Sequence, residues 1–195
     1  EVASAYLAFG KGIVDVVASL VPAVKPQAAF FEQLGPCGMA ALGEITQYAR
    51  SQGLLVIMDG KRNDIGSTAT AYAHGFLGEN RSTQFTSDCL TVSPYLGEDS
   101  LEPFVKVADE NGNGIFVLVK TSNPGAVSFQ NHGTPPLSEV IAAQVAEWSS
   151  QDMGNNGWSN IGAVVGATRA NELGLFRKLM PQTPLLLPGF GFQGG

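Results

Sequence analysis

The sequence predicts an α/β protein, a (β/α)8 barrel built around a parallel sheet. Short apolar segments alternate with amphipathic helical segments along the whole chain. Most of the apolar segments are about 25–35 residues apart, which is the length of one strand–helix unit. They lack a strict alternation of apolar and polar residues, as is typical of strands that are buried on both faces of a sheet.

The chain shows six such units in 195 residues, whereas a complete barrel has eight units in about 250 residues. We therefore expect the first and last strand regions to be missing, and residues 1–195 to form a single barrel domain that is incomplete at both ends. The first residue is Glu1 and not Met, which fits this expectation. A doubly wound open sheet is the alternative fold.

Apolar spacing and chain breakers place the individual elements. Pro22 and Pro181 end the first and the last helix, whereas Pro36 starts the second helix and Gly53 and Gly112 follow helix ends. The predicted helices are 1–21, 36–52, 67–78, 99–111, 137–150 and 170–180. The predicted strands lie within 23–31, 54–58, 90–92, 115–119, 161–165 and 185–187.

Composition excludes several classes of function. A net charge of −6 and the lack of a Lys/Arg run argue against nucleic acid as the main partner. No apolar run reaches the roughly 18 residues of a membrane span. Cys37 and Cys89 are far apart and predict two buried thiols in the reducing cytoplasm. His74 and His132 form no metal-binding pattern, so we expect no metal.

Polar and charged residues follow the predicted strands. Catalytic groups lie at the C-terminal strand ends in both candidate folds. Those ends read VKPQ, DGKRND, VSPY, VKTSNPG, GATR and PGFGFQGG, while the strand bodies carry few polar side chains. This distribution predicts a functional site at one end of the sheet.

Side-chain alternation in an extended chain places Asp59 and Lys61 on one face, and Lys25 with Gln27 on another. If both faces point inward, two lysines and a carboxylate converge at the barrel mouth. The simpler interpretation is a solvated turn over residues 61–63, with Asp64 capping the next helix. We favour the turn for residues 62 and 63, and a functional role for Asp59 and Lys61.

The run DGKRNDIGSTATAYA resembles the D-x-K-x-x-D signature of orotidine 5′-monophosphate decarboxylases, in the form of the longer bacterial enzymes. The segments AVKPQAAFFE, TVSPYLGEDS, VLVKTSNPGA and LLLPGFGFQGG resemble the same family in the same order, so the likeness covers essentially the whole chain. The resemblance implies a homodimeric (β/α)8 barrel that converts orotidine monophosphate to uridine monophosphate. It also implies that the reaction needs neither a metal nor an organic cofactor.

The resemblance further implies a catalytic network of Lys25, Asp59, Lys61 and Asp64. In this network Lys61 protonates C6 of the pyrimidine as CO2 leaves. Asp59 lies beside the substrate carboxylate, and Lys25 holds the network and reaches toward the ribose.

The same resemblance assigns substrate contacts to other positions. Asp64 and Thr68 are expected to reach the substrate of the neighbouring subunit, so that two chains share each site. Ser122 would bind the pyrimidine, and Gln193 with the backbone at Gly194 would bind the phosphate. The family's ribose-contacting Asp and phosphate-pairing Arg have no counterpart in this sequence.

Three other functions remain open. Gly189, Gly191 and Gly194 fit the G-x-G-x-x-G fingerprint of nicotinamide-dependent oxidoreductases, although that fingerprint normally opens a βαβ domain. A related metal-dependent sugar-phosphate decarboxylase or epimerase would use the same D-x-K-x-x-D pattern. The third is a binding protein without activity, and the intact Asp59, Lys61 and Asp64 argue against it.

Overall fold

A computed structural model describes residues 1–78, 85–151, 153–191 and 193–195. Its sheet contains six parallel strands: β1 (Ala23–Val24), β2 (Leu55–Arg62), β3 (Cys89–Val92), β4 (Gly114–Lys120), β5 (Ile161–Val165) and β6 (Leu185–Leu186). The α-helices are α1 (Val2–Val17), α2 (Ala29–Glu32), α3 (Gly35–Ser51), α4 (Gly66–Leu77), α5 (Glu102–Glu110), α6 (Val127–Gln130), α7 (Leu137–Gln151) and α8 (Ala170–Leu179).

The strands lie side by side in the order in which they occur in the chain, β1-β2-β3-β4-β5-β6. A doubly wound sheet reverses its strand order at a switch point, whereas a barrel does not. The doubly wound alternative is therefore wrong. The sheet is six consecutive units of a (β/α)8 barrel, as the sequence predicts.

Alternate strand residues pack against the surrounding helices. Met58, Leu90 and Val117 are fully buried in one cluster with helix residues such as Phe104 and Phe176. Neighbouring residues of a strand point to opposite faces of the sheet. Asp59 follows Met58 and Thr91 follows Leu90, so both point to the inner face of the sheet, away from the helices. The helices thus leave the inner face free for the site.

Two predicted strands differ from the observed ones. The first is only two residues long, because Pro26 has no N–H to continue the ladder, although Gln27 still forms an isolated bridge with Asp59. The chain then turns into the short helix α2, which contains the last three residues of the segment predicted as strand. The second strand continues to Arg62, four residues beyond its predicted end. The remaining predicted elements are confirmed within a few residues.

In the part of the chain that the structure describes, none of the helices has the length and apolar character that a membrane crossing requires.

Candidate active site

Strand β2 carries an irregularity where its charged residues begin. Met58 pairs with Leu90 and Arg62 with Val92, so that residues 59–61 lie opposite the single residue Thr91. Such a bulge bends a strand and changes the direction of its side chains. Lys61 adopts a φ of 46° and is the one non-glycine residue with positive φ in the described chain. Its N–H donates a hydrogen bond to Thr91 Oγ1 over 2.9 Å.

Both lysines of the predicted network contact one carboxylate, that of Asp59. Lys25 Nζ lies 2.6 Å from Asp59 Oδ2, and Lys61 Nζ lies 2.5 Å from Asp59 Oδ1. Thr91 Oγ1 also donates to Asp59 Oδ1, over 3.1 Å. The carboxylate is thus held from three sides, and Asp59 is only 8% exposed. The structure brings Lys25, Asp59 and Lys61 together at the C-terminal ends of β1 and β2.

The electrostatics of this cluster are set by the two lysines. Burial alone raises the pKa of the Asp59 carboxyl, but the hydrogen bonds and positive charges of Lys25 and Lys61 outweigh it, so the pKa lies below its ordinary value. Asp59 is therefore ionised at neutral pH. Two ammonium groups share this one carboxylate, which leaves one excess positive charge facing the barrel mouth, where an anionic ligand would be attracted.

Asp64 and Thr68 lie apart from this cluster. Helix α4 begins at Gly66 and its N-cap is Ile65, so the alternative in which Asp64 caps the helix is wrong. The Asp64 carboxylate instead accepts a hydrogen bond from the Ile65 N–H over 2.8 Å. Among the described residues, Asp64 forms no ion pair with either lysine of the cluster, since both Lys25 and Lys61 pair with Asp59. Thr68 is exposed on the first turn of α4.

The predicted substrate-binding residues Ser122 and Gln193 both lie beside Gly189. A Cβ atom added to Gly189 would lie 2.9 Å from Gln193 Oε1 and 3.4 Å from Ser122 Cβ. Gly189 has a φ of 107°, a conformation that favours glycine. The N–H of Gly194 donates to Gly191 O over 2.8 Å and closes a turn. In this conformation, therefore, the Gly194 N–H is not a free donor for an anion.

A model of the orotidine 5′-phosphate decarboxylase / HUMPS family matches residues 11–195. The chain belongs to this family. Among curated relatives, it is 56% identical over its whole length to the orotidine 5′-phosphate decarboxylase of Rhodopirellula baltica. It is 48% identical, over 93% of its length, to that of Deinococcus radiodurans. The solved structure of Leishmania donovani OMP decarboxylase superposes with a TM-score of 0.82 at 36% identity, covering 96% of this chain and 70% of that one.

The chain spans about two thirds of the length of these curated relatives, 66% for the first and 65% for the second. The family name covers two groups, orotidine 5′-phosphate decarboxylases and HUMPS, and both curated relatives carry the first name. Family membership does not favour the nicotinamide-dependent alternative that the glycine fingerprint allowed.

Sequence reasoning assigned no role to Thr91, which the decarboxylase-family fold places at the centre of the cluster. This residue is 1% exposed and its hydroxyl contacts both Asp59 and the backbone of Lys61. The available signal was alternation along β3, which places Thr91 on the inner face next to strand β2.

Lys120 is a second residue that sequence reasoning did not assign. It ends β4, is 1% exposed, and pairs with Glu172 on α8 over 3.0 Å, while its ammonium group also contacts Asn131. A lysine is almost never fully buried unless it is paired. Lys120 therefore links the end of β4, two residues before Ser122, to helix α8.

The interpretation of Arg62 as a turn residue is wrong. Arg62 is the last residue of β2, and its side chain is 21% exposed. The prediction that both cysteines are buried is also wrong for Cys37, which is exposed. Cys89 is largely buried, and burial, with a smaller contribution from the charge of Asp88, raises the pKa of its thiol to about 11. Among the described residues, no group of three or more His, Cys, Asp or Glu side chains could hold a metal ion.

Proposed function

We propose that this protein converts orotidine 5′-monophosphate to uridine 5′-monophosphate, the decarboxylation step of pyrimidine nucleotide biosynthesis. The observation that carries the proposal is the Lys61 ammonium group, which is held 2.5 Å from the carboxylate of Asp59 in a chain of this family. The names of both curated relatives support it. The free cysteines of the described chain favour the cytoplasm as its location.

The proposed reaction breaks one bond and forms another at C6 of the pyrimidine. The bond between C6 and the carboxylate breaks, CO2 leaves, and the electron pair remains on C6. Lys61 donates a proton from Nζ to C6 and regains one from water. A fixed cation near C6 stabilises the charge that develops in the transition state, and the same group then supplies the proton. No metal or organic cofactor takes part in this proposal.

The other cluster residues keep Lys61 ready for this step. The Lys61 side chain is 46% exposed and thus open to the barrel mouth, while its ammonium group is fixed by Asp59. Asp59 would lie beside the departing carboxylate. Lys25 would compensate the charge of Asp59 and reach the ribose. Because the carboxylate is fixed by two lysines before substrate binds, little reorganisation is needed during the reaction.

The proposed substrate contacts lie at the far strands. Ser122 would bind the pyrimidine and Gln193 the phosphate, and the Gly194 N–H would have to leave its turn with Gly191 to join Gln193. Support comes from the position of Ser122 and Gln193, which both lie beside Gly189. Binding energy from the phosphate, remote from C6, can be used to hold the pyrimidine against Lys61.

We further propose that two copies of the chain form a homodimer in which Asp64 and Thr68 reach the partner's substrate. Both residues lie near an exposed apolar side chain, Ile65, which is 58% exposed. Tyr95 and Leu96 follow the next strand and are 77% and 45% exposed. Exposed apolar groups at one end of a sheet are typical of a protein interface.

The test of the activity is an absorbance assay of orotidine monophosphate loss with the full-length protein, with and without EDTA. We expect conversion to uridine monophosphate and CO2 at the same rate in both. The absence of conversion would refute the proposed function. An EDTA-sensitive reaction on a sugar phosphate would instead indicate a metal-dependent relative of this fold.

The shared site has its own test. The Lys61→Ala and Asp64→Ala proteins should each be inactive as homodimers, because each site would lack one of the two residues. Mixed, they form heterodimers in which one site is intact, so activity should recover to about a quarter of wild type after exchange of subunits. Mixtures that stay inactive although their subunits have exchanged would refute the shared site.

A further inference from the structure

Arg62 connects strand β2, which carries Asp59 and Lys61, to two helices. Its guanidinium group forms an ion pair with Glu32 on α2, the helix that follows Lys25 in the chain. The same group lies 5.6 Å from the ring centroid of Tyr72 and 5.2 Å from that of Phe76, both on α4. The guanidinium group of Arg62 therefore connects β2 with α2 and α4. An arginine can donate hydrogen bonds and stack on aromatic rings at the same time because its guanidinium group is planar and rigid.

Arg62 also binds the backbone of the bulge itself. Its Nη1 donates a hydrogen bond over 3.0 Å to the carbonyl oxygen of Gly60, the residue that lies between Asp59 and Lys61. Its own carbonyl accepts a hydrogen bond from the Ser93 N–H over 2.8 Å. Arg62 is thus fixed to β3 through its backbone while its side chain returns to hold Gly60.

The backbone of Lys61 needs such support. At a φ of 46° it lies in the left-handed region, which is unfavourable for residues with a Cβ atom. Conformations of this kind persist where the surroundings over-determine them, and they concentrate at functional sites. The peptide group between Gly60 and Lys61 is held at both of its polar atoms: Thr91 accepts the Lys61 N–H, and Arg62 donates to the Gly60 carbonyl.

We propose that Arg62 is a positioning residue that maintains the left-handed backbone of Lys61 and so directs its ammonium group to Asp59 and to C6. This inference deepens the proposed function and rests on it. Arg62 does not touch the substrate in this account. It acts through the Gly60 carbonyl and through the packing of its guanidinium group against Tyr72 and Phe76.

The test compares Arg62→Met and Arg62→Lys with wild type in the full-length protein. Methionine fills the space without donating a hydrogen bond, so we expect kcat to fall by about tenfold or more with KM changed by less than about threefold. Lysine keeps the charge and a donor group but lacks the planar guanidinium group. We therefore expect the kcat of Arg62→Lys to lie between those of wild type and Arg62→Met. Arg62→Lys also keeps the test informative if the methionine variant does not fold.

A matched control separates positioning from a general loss of stability. Arg177 lies on α8, between β5 and β6 in the chain and thus away from the cluster at β1 to β3. Its guanidinium group lies 5.7 Å from the ring centroid of Trp158 and donates to the carbonyls of Met180, Pro181 and Thr183. Arg177→Met therefore removes the same kinds of contact away from the cluster. We expect it to lower the melting temperature and to leave kcat unchanged. An equal loss of kcat in both methionine variants would overturn the proposal.

An activity-independent measurement distinguishes failure of this inference from failure of the proposed function. In wild type the Lys61 N–H is bonded to Thr91 Oγ1, so its hydrogen exchange should be slow. We expect exchange at Lys61 to become at least about tenfold faster in Arg62→Met and to stay unchanged in Arg177→Met. Unchanged exchange at Lys61 in Arg62→Met would refute the positioning role, even if the protein proves to catalyse another reaction.

Discussion

Replacing Asp59 by Asn tests how strongly the charged cluster stabilises the fold. The side chain keeps its shape and loses its charge, so two ammonium groups, which lie 2.6 and 2.5 Å from the carboxylate in wild type, no longer have a counter-charge. Removing one partner of a fully buried ion pair costs about 3–5 kcal/mol. Here the Lys25 and Lys61 side chains are 33% and 46% exposed, and water screens them. We therefore expect a loss of about 1–2 kcal/mol at neutral pH.

The pH dependence of this loss has a definite sign. The pKa of Asp59 is lowered in the folded protein because the lysines outweigh the effect of burial. Its contribution to stability is thus fully present above the pKa of an unfolded aspartate, about 3.9. It is lost as the pH falls through the lower pKa of the folded state. The difference between wild type and variant should be constant from pH 7 to about 5 and should shrink below about pH 4.

Urea unfolding at a series of pH values measures both quantities. Asp99→Asn is the control, since Asp99 is exposed and its replacement should change stability by less than about 0.5 kcal/mol. If Asp59→Asn were as stable as wild type at pH 7, the cluster would contribute nothing to the fold. A difference that grew as the pH fell would show that the pKa of Asp59 is raised.

Two further substitutions test the loops that carry the substrate contacts. In Gly166→Ala the new Cβ would lie 2.8 Å from both N and Cα of Ser122, so the loop must shift, and we expect KM to rise about tenfold. Gly174→Ala, where a Cβ meets no atom within 4 Å, should leave KM unchanged. Lys120→Met removes the counter-charge of Glu172, whose side chain is 29% exposed, and should cost about 2–4 kcal/mol in urea unfolding.

Each of these expectations has a clear contrary result. An unchanged KM in Gly166→Ala would show that Ser122 is not fixed by its contact with that glycine. For Lys120, the double variant with Glu172→Gln should recover part of the lost stability, because it leaves no unpaired charge. A single Lys120→Met variant as stable as wild type would show that the ion pair with Glu172 contributes nothing.

The sequence predicted the fold well because its signals are local and repeated. Apolar strand segments and amphipathic helices recur at the spacing of one unit, and the strand ends carry the polar residues. Alternation along two strands predicted that Lys25, Asp59 and Lys61 converge, and the structure places them within hydrogen-bonding distance, although Lys61 lies in a bulge and not in a regular strand. Alternation is a property of neighbours in the chain, so it can be read from the sequence.

The parts that were missed depend on residues far apart in the chain. The bulge in β2 arises from pairing with β3, about thirty positions later, and no local pattern shows that residues 59–61 lie opposite Thr91. Arg62 looked like a turn residue because it follows other charged residues. Its actual partners are Glu32, which precedes it by thirty positions, and two rings on α4. A buried environment assembled by tertiary packing has no signature in the segment itself.

The most direct test of the account is kcat for orotidine monophosphate in full-length Lys61→Ala compared with wild type. A positioned general acid contributes about 10²–10⁴-fold to a rate. We therefore predict a loss of at least about 100-fold in kcat, with the substituted protein folded and still able to bind uridine monophosphate. A Lys61→Ala protein with kcat within about threefold of wild type would contradict the claim that this lysine protonates C6.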